Sequence, residues 1–150
     1  MRPGLAVGQT HTVSVEVRDD LTVPAVSERF PGFAAMSRVF ATAYLVGFAE
    51  CAAMGCLAPY LEDHESSVGV DVAFNHTAAT PVGLTVTATA EVTGVEGRVV
   101  TFHVVLRDDV EQIGEGTHHR AVIDQGKFEA RVARKAEEAR DAEALGGVSG

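Results

Sequence analysis

The chain has no tryptophan, two cysteines in 150 residues and far fewer basic than acidic side chains. With 12 Lys and Arg against 21 Asp and Glu, its net charge is −9. That charge argues against a nucleic-acid backbone or an anionic membrane as the partner. An acidic protein can still bind an anionic group, but only through a local cluster of Arg or Lys.

Cys51 and Cys56 lie five residues apart in a segment predicted to be helical, so they fall on different faces. Their spacing matches no metal motif, and we expect reduced thiols and a cytoplasmic setting. The residues before position 9 lack the apolar core of a signal peptide. His118 and His119 do not suggest a metal site either, because adjacent residues of a strand point to opposite faces.

Charge is nearly absent from residues 39–61, where Glu50 is the one acidic or basic side chain apart from cysteine and tyrosine. The segment is long enough to span a bilayer. Because Glu50 stands at its middle and amphipathic strands follow it, we interpret it as a buried core helix ending near Pro59 and expect no membrane partner. A buried carboxylate is costly unless it is paired. His76 is its candidate partner, and a buried acid with a histidine suits general acid–base chemistry.

Alternation of apolar and polar residues predicts several strands. The clearest is 84–95, where even-numbered apolar residues alternate with threonines. Pro24, Pro31 and Gly32 make 19–37 a loop that presents apolar side chains, interpreted as a lid. The predicted strands are 9–17, 68–77, 84–95, 99–106 and 112–123, followed by a charged, exposed helix over 125–145 and a tail that frays.

The order of elements is a strand, a long buried helix and then an antiparallel run of strands. One long helix wrapped by a curved antiparallel sheet of about five strands is the α+β arrangement called the hot dog fold. Such a helix needs covering beyond one small sheet, and the sheet leaves open edges, so we expect a homodimer. We assign 1–128 to this domain and 129–150 to the charged C-terminal helix and flexible tail.

Two motifs are specific rather than generic: HTAATP at 76–81 and GEGTHHR at 114–120. The shorter runs VFAT, VGFAE, APYL and GLTVT accompany them. Together, over about residues 8–128, they resemble the fluoroacetyl-CoA thioesterase family. The resemblance implies a dimeric hot dog enzyme that hydrolyses acyl-CoA thioesters, with CoA as part of the substrate and no other cofactor.

The resemblance also implies a catalytic triad of Thr42, Glu50 and His76. It implies that Gly69 donates a backbone N–H to the thioester oxygen and that Arg120 contacts the CoA portion. These roles suit the chemistry, since thioester hydrolysis needs a nucleophile or oriented water, a proton shuttle and an oxyanion donor. Whether Thr42 attacks or holds a water stays open at this point.

The spacing of Thr42 and Glu50 raises a geometric difficulty. In an unbroken helix the two side chains start about 12 Å apart along the axis, too far for both to bond one imidazole. Either Thr42 precedes the helix, or the site draws residues from both subunits. We favour the first alternative, with the site still at the dimer interface.

The resemblance places Phe33 and Met36 in a lid where the fluoroacetyl-specific enzyme has two phenylalanines. Methionine is the more adaptable side chain, and Cys51, standing where tryptophan is expected, enlarges a neighbouring pocket, so we expect a less selective enzyme. The substrate is then a short or medium acyl group on CoA or on an acyl carrier protein. Two alternatives remain: a hot dog dehydratase acting on 3-hydroxyacyl thioesters, and a non-catalytic acyl-CoA binding module.

Overall fold

A computed structural model of the chain describes residues 1–148. They form one five-stranded antiparallel sheet with the order β1-β3-β4-β5-β2, together with two helices. The strands are β1 (Thr10–Glu16), β2 (Glu65–Phe74), β3 (Thr85–Glu96), β4 (Val99–Arg107) and β5 (Gln112–Asp124), and the helices are α1 (Thr42–Leu57) and α2 (Gln125–Val148). The predicted strands are confirmed, but β2 begins and ends three residues early. His76 therefore follows the strand and does not lie within it.

Helix α1 crosses one face of the sheet and forms the core with it. The small side chains of Ala49, Ala52 and Ala53 are fully buried, which lets the helix approach the strands closely. The even-numbered face predicted for β3 is confirmed, since Val86 and Val92 are also fully buried. Together with the following turn, the helix is long and apolar enough to cross a membrane by length and composition. Its packing across the sheet identifies it as the core helix of the fold.

The segment 19–37 is a loop, as predicted, and contains three short 3₁₀ turns. One hydrogen bond ties it to the start of α1, since the Tyr44 hydroxyl donates to the Ala25 carbonyl at 3.0 Å. A second tie is the backbone N–H of Ala41, which donates to the Leu21 carbonyl at 3.1 Å. These bonds hold the loop over the first turn of the helix.

Helix α2 leaves the domain at the end of β5. The charged helix predicted for 125–145 is confirmed, and it continues to Val148. From residue 129 to residue 146 every side chain is exposed. The end of the predicted tail, residues 149 and 150, lies outside the described residues.

Candidate active site

A threonine and a histidine meet at the first turn of α1. The Thr42 Oγ1 lies 2.8 Å from Nδ1 of His76. Thr42 is the first residue of the helix and follows Ala41, whose backbone is extended. The expectation that Thr42 precedes the helix is therefore wrong. Its hydroxyl bonds to the imidazole, and no side chain caps this end of α1.

Backbone hydrogen bonds on both sides of His76 fix its position. Beyond the end of β2, the Asn75 N–H donates to the Glu115 carbonyl at 3.0 Å, and the Thr77 N–H donates to the Ile113 carbonyl at 2.8 Å. Both acceptors belong to β5. The chain between these two anchors has little freedom, so the imidazole is presented to Thr42 in one orientation.

The other imidazole nitrogen of His76, Nε2, is buried and has no hydrogen-bond partner within residues 1–148. Burial lowers the pKa of His76 from its usual 6.5, and the nearby backbone of Ala78 opposes the shift. A neutral imidazole with a bare nitrogen can accept a proton from a reacting group. It borders a cavity of 260 Å³ lined by Val23, Val39, Phe40, Thr42, His76, Thr77, Ala78 and Ala79.

A second polar cluster lies two turns further along α1. Arg120 Nη1 donates to Glu50 Oε1 at 3.3 Å and to His118 Nε2 at 3.0 Å. The remaining guanidinium N–H groups donate to Ser67, from Nε to its hydroxyl at 2.9 Å and from Nη2 to its carbonyl at 3.0 Å. Arg120 is only 4% exposed. The carboxylate of Glu50 is therefore held by a buried cation that makes three further hydrogen bonds.

His118 is the member of this cluster that sequence reasoning missed. Its Nδ1 lies 2.8 Å from the Asp71 carbonyl, which can only accept, so Nδ1 carries the proton and Nε2 accepts from Arg120. Burial lowers the pKa of His118, which keeps the ring neutral. Period-2 alternation puts His118 and Arg120 on one face of β5, and that was the available signal. The prediction that His118 and His119 face opposite ways is confirmed, since only His118 is fully buried.

Gly69 faces the Glu50 carboxylate from β2. The pairing with β5 shifts register between Gly69 and Asp71, so the strand bulges here. A Cβ at position 69 would lie 2.5 Å from Glu50 Oε1, closer than any real contact allows. Glycine at this position lets the backbone approach the carboxylate. The open cavity in front has a volume of 460 Å³ and is lined by Val46, Glu50, Gly69, Val70, Asp71 and Val72.

The predicted site residues thus fall into two groups within one chain. Thr42 and His76 touch, whereas Glu50 stands two turns away, about 12 Å along an unbroken helix, and pairs with Arg120. The expected partnership of Glu50 with His76 is not formed within the chain. Phe33 lies in a 3₁₀ turn of the 19–37 loop, and Met36 beyond it is 58% exposed. Neither belongs to the residues that line the cavity beside His76.

One apolar helix across a five-stranded antiparallel sheet, with these polar groups along it, defines the class of the chain: it is a hot dog fold thioesterase. The comparisons with known proteins narrow the class. The profile of the fluoroacetyl-CoA-specific thioesterase family matches residues 17–126, and the chain belongs to this family.

Named relatives agree with this assignment. The chain is 46% identical over 135 residues to the fluoroacetyl-CoA thioesterase of Streptantibioticus cattleyicolor, covering 90% of this chain and 97% of that protein. A crystal structure of a point mutant of a fluoroacetyl-CoA-specific thioesterase superposes with a TM-score of 0.86 at 46% identity, covering 89% of this chain and 99% of the other. A thioesterase superfamily member from Thermus thermophilus gives a TM-score of 0.82 at 27% identity, covering 95% and 99%.

Proposed function

We propose that the chain works as a homodimer in which each active site combines Thr42 and His76 of one subunit with the partner's Glu50. The reaction is the hydrolysis of an acyl thioester to a free acid and a thiol. The observation that carries the proposal is the Thr42–His76 hydrogen bond, whose imidazole keeps a buried, bare Nε2. When the Thr42 hydroxyl donates to Nδ1, Nε2 carries the ring proton and is the expected donor to the partner's carboxylate.

The free edge of β2 supports the dimer. Within residues 1–148 this strand pairs only with β5, so its other edge is open. Val70 and Val72 on it are 56% and 46% exposed, beside the cavity that contains Glu50. An exposed apolar edge strand invites pairing with another strand. Antiparallel pairing of two β2 strands would continue the sheet and bring a second chain up to Glu50.

In the proposed reaction, the Thr42 hydroxyl or a water held by it attacks the thioester carbonyl while His76 takes the proton. A backbone N–H at the Gly69 bulge stabilises the oxyanion. Collapse expels the thiolate, which is protonated to the free thiol, and water supplies the second oxygen of the acid. The Glu50 carboxylate orients the imidazole and stabilises its charged form.

Arg120 holds the Glu50 carboxylate in one place. Four of its five N–H groups donate to Glu50, His118 and Ser67, which supports a positioning role. The contact with CoA predicted for Arg120 stays a prediction. A free thiol at exposed Cys51 and another at Cys56 agree with a reducing, cytoplasmic setting.

The acyl group is the finer part of the proposal. One solved structure of a fluoroacetyl-CoA-specific relative contains fluoroacetate and CoA. In this chain the 19–37 loop presents Met36 to solvent, and we infer a short or medium acyl group on CoA or an acyl carrier protein, with weak preference for the fluorinated one. Cys51 lines a separate apolar cavity of 220 Å³ beneath the same loop.

The first test is thiol release from acetyl-, fluoroacetyl-, malonyl-, branched and aromatic acyl-CoAs. Rapid release from one of them establishes the activity and its acyl class. If none of these acyl-CoAs released thiol, the hydrolysis of CoA thioesters would be contradicted. Loss of water from a 3-hydroxyacyl-CoA would assign the dehydratase reaction, and binding without turnover the binding module.

Mixed dimers then test the shared site. Glu50→Gln and His76→Ala should each lower turnover by about 10³-fold as homodimers that remain folded. A heterodimer of one variant with the other, isolated through two different tags, contains one intact composite site. We expect it to recover about half of the wild-type turnover. A dead heterodimer would place the whole triad within one chain and overturn the proposal.

A further inference from the structure

Three cations converge on one groove at the start of α2. Arg98, from the β3–β4 turn, meets Lys127 and Arg131, which lie one helical turn apart on α2. The groove has a volume of 400 Å³, and its other lining residues are Val122, Ile123 and Asp124. In a chain of net charge −9, such a cluster is the local exception that an anionic ligand requires. We call these three cations and their lining residues the basic groove.

The three cations differ in how they are engaged. Arg98 is engaged, because its Nη2 lies 2.6 Å from Glu65. Lys127 and Arg131 form no ion pair with any of the described residues, and both are exposed. The Asp124 carboxylate in the groove already accepts the backbone N–H of Lys127 at 3.0 Å, capping the helix. Lys127 and Arg131 therefore bring two positive charges to the open groove, against the single carboxylate of Asp124 beside Lys127.

The same charges are poorly placed for the helix itself. The N-terminus of a helix carries the positive end of its dipole, so cations there are unfavourable and acids are favoured. The first turn of α2 contains no acidic residue, and Lys127 and Arg131 lie in its first two turns. Asp124 already caps the helix terminus, so a bound anion would chiefly compensate the two cationic side chains.

The distance between Gly69 and the basic groove matches the length of the pantetheine arm of CoA. Along the β2–β5 ladder, Gly69 pairs with Arg120 and Glu65 pairs with Asp124. The groove therefore begins four strand residues from Gly69, about 13 Å away. The pantetheine arm of CoA has a backbone of about a dozen bonds, which is as long as about four extended residues. With the thioester at Gly69, an extended arm along β2 ends at the groove.

We propose that the basic groove binds the phosphate groups of the CoA nucleotide, through Lys127, Arg131 and Arg98. This inference rests on the proposed thioesterase function and deepens it, since it assigns the carrier as CoA. A carrier protein presents the same arm but a single bridging phosphate, and it would use the groove as a docking surface instead.

The test compares two substrates with the same acyl group, one carried by CoA and the other by pantetheine without the nucleotide. In the variant with Lys127→Gln and Arg131→Gln, we expect the KM for the acyl-CoA to rise about tenfold with kcat unchanged. The KM for the acyl-pantetheine should not change. The matched control carries Lys135→Gln and Arg140→Gln, which remove the same charge further along α2 and should leave both KM values as in the wild type.

Calorimetric binding of free CoA gives a readout that does not depend on turnover. We expect binding to the wild type and the control, weakened about tenfold in the groove variant. The proposal would be overturned if KM rose equally for both substrates in the groove variant. It would also be overturned if the control variant lost as much affinity for CoA as the groove variant. The same acyl group on an acyl carrier protein is a third substrate. If the groove variant raises the KM for this substrate alone, the proposal is overturned in favour of protein docking. Wild-type enzyme that binds CoA but cleaves neither substrate would contradict the proposed function and leave the groove assigned.

Discussion

The two polar clusters on α1 differ in how completely their hydrogen bonds are satisfied. Around Glu50, the Arg120 guanidinium donates to a carboxylate, an imidazole, a hydroxyl and a carbonyl. Around Thr42, the imidazole of His76 uses Nδ1 and leaves Nε2 buried and bare. The first cluster is complete within one chain, and the second lacks a partner within residues 1–148. A buried polar atom without a partner costs free energy, so a functional reason is expected there.

This difference assigns different duties to the two clusters. The satisfied cluster is rigid, because moving Glu50 would break its bond to Arg120 and expose the network behind it. The unsatisfied one can take up a proton, because burial lowers the pKa of His76 and so favours the neutral ring, and His76 lines a cavity. The chemical step therefore takes place at the unsatisfied cluster of Thr42 and His76. The satisfied cluster around Glu50 orients the imidazole and supplies the negative charge.

The strongest test of the difference between the clusters is to disturb the satisfied cluster without replacing a charged residue. Gly69→Ala places a methyl group 2.5 Å from the present position of Glu50 Oε1, so the carboxylate must swing aside. The protein should still fold, because the end of a flexible side chain can move. Since a displacement of about 1 Å can cost about 100-fold in rate, we expect a loss of about that size in kcat, measured by thiol release.

The matched control is Gly94→Ala in β3. A Cβ there would meet Thr101 at 3.6 Å, an ordinary contact, and Gly94 is remote from both clusters in the strand order. We expect near-normal turnover from this variant. Full activity in the folded Gly69→Ala variant would show that the position of Glu50 is unimportant and that the satisfied cluster has a purely structural role.

The sequence predicted the parts of the fold that depend on local pattern. Alternation along β3 identified its buried face because successive strand residues point to opposite sides of the sheet. The apolar run around Glu50 identified α1 because one apolar helix must be covered on most of its surface. The start of β2 was missed, since Glu65, Ser66 and Ser67 look like loop residues. They join the strand through pairing with β5 and through the bonds from Arg120 to Ser67.

The site was harder to predict because its contacts join distant parts of the chain. Arg120 is 70 residues from Glu50, and no local spacing reveals that they pair. His76 is 34 residues from Thr42, yet it binds the hydroxyl that would otherwise be free to cap α1. Sequence reasoning could state that Glu50 needs a partner. The structure was needed to show that, within one chain, the partner of Glu50 is Arg120 and not His76.

A second prediction sharpens the comparison by asking whether the two clusters communicate across subunits. A carboxylate beside an imidazole favours the protonated ring and raises its pKa. If the partner's Glu50 reaches His76, Glu50→Gln removes this effect and the pKa of His76 moves to lower pH. The measurement is an NMR titration of the His76 ring signals in the dimer.

Glu96→Gln, at the last residue of β3, removes one negative charge far from the site and is the control for that titration. Screening by salt should leave the His76 pKa of this variant unchanged. An unchanged pKa in Glu50→Gln as well would mean that no carboxylate faces the imidazole, which contradicts the composite site.

The smallest expected effect concerns the loop above the reactive end. Met36 is 58% exposed and does not line the cavity beside His76, so it influences the acyl group only when the loop closes. Met36→Phe puts a stiffer aromatic side chain in that position. We expect the ratio of kcat/KM for fluoroacetyl-CoA over acetyl-CoA to rise by roughly fivefold, within the range that one apolar contact provides. Val110→Phe adds a ring at a 74% exposed position outside the loop and should leave the ratio unchanged. An unchanged ratio in Met36→Phe would remove the loop from substrate selection and leave the choice of acyl group to the cavity walls.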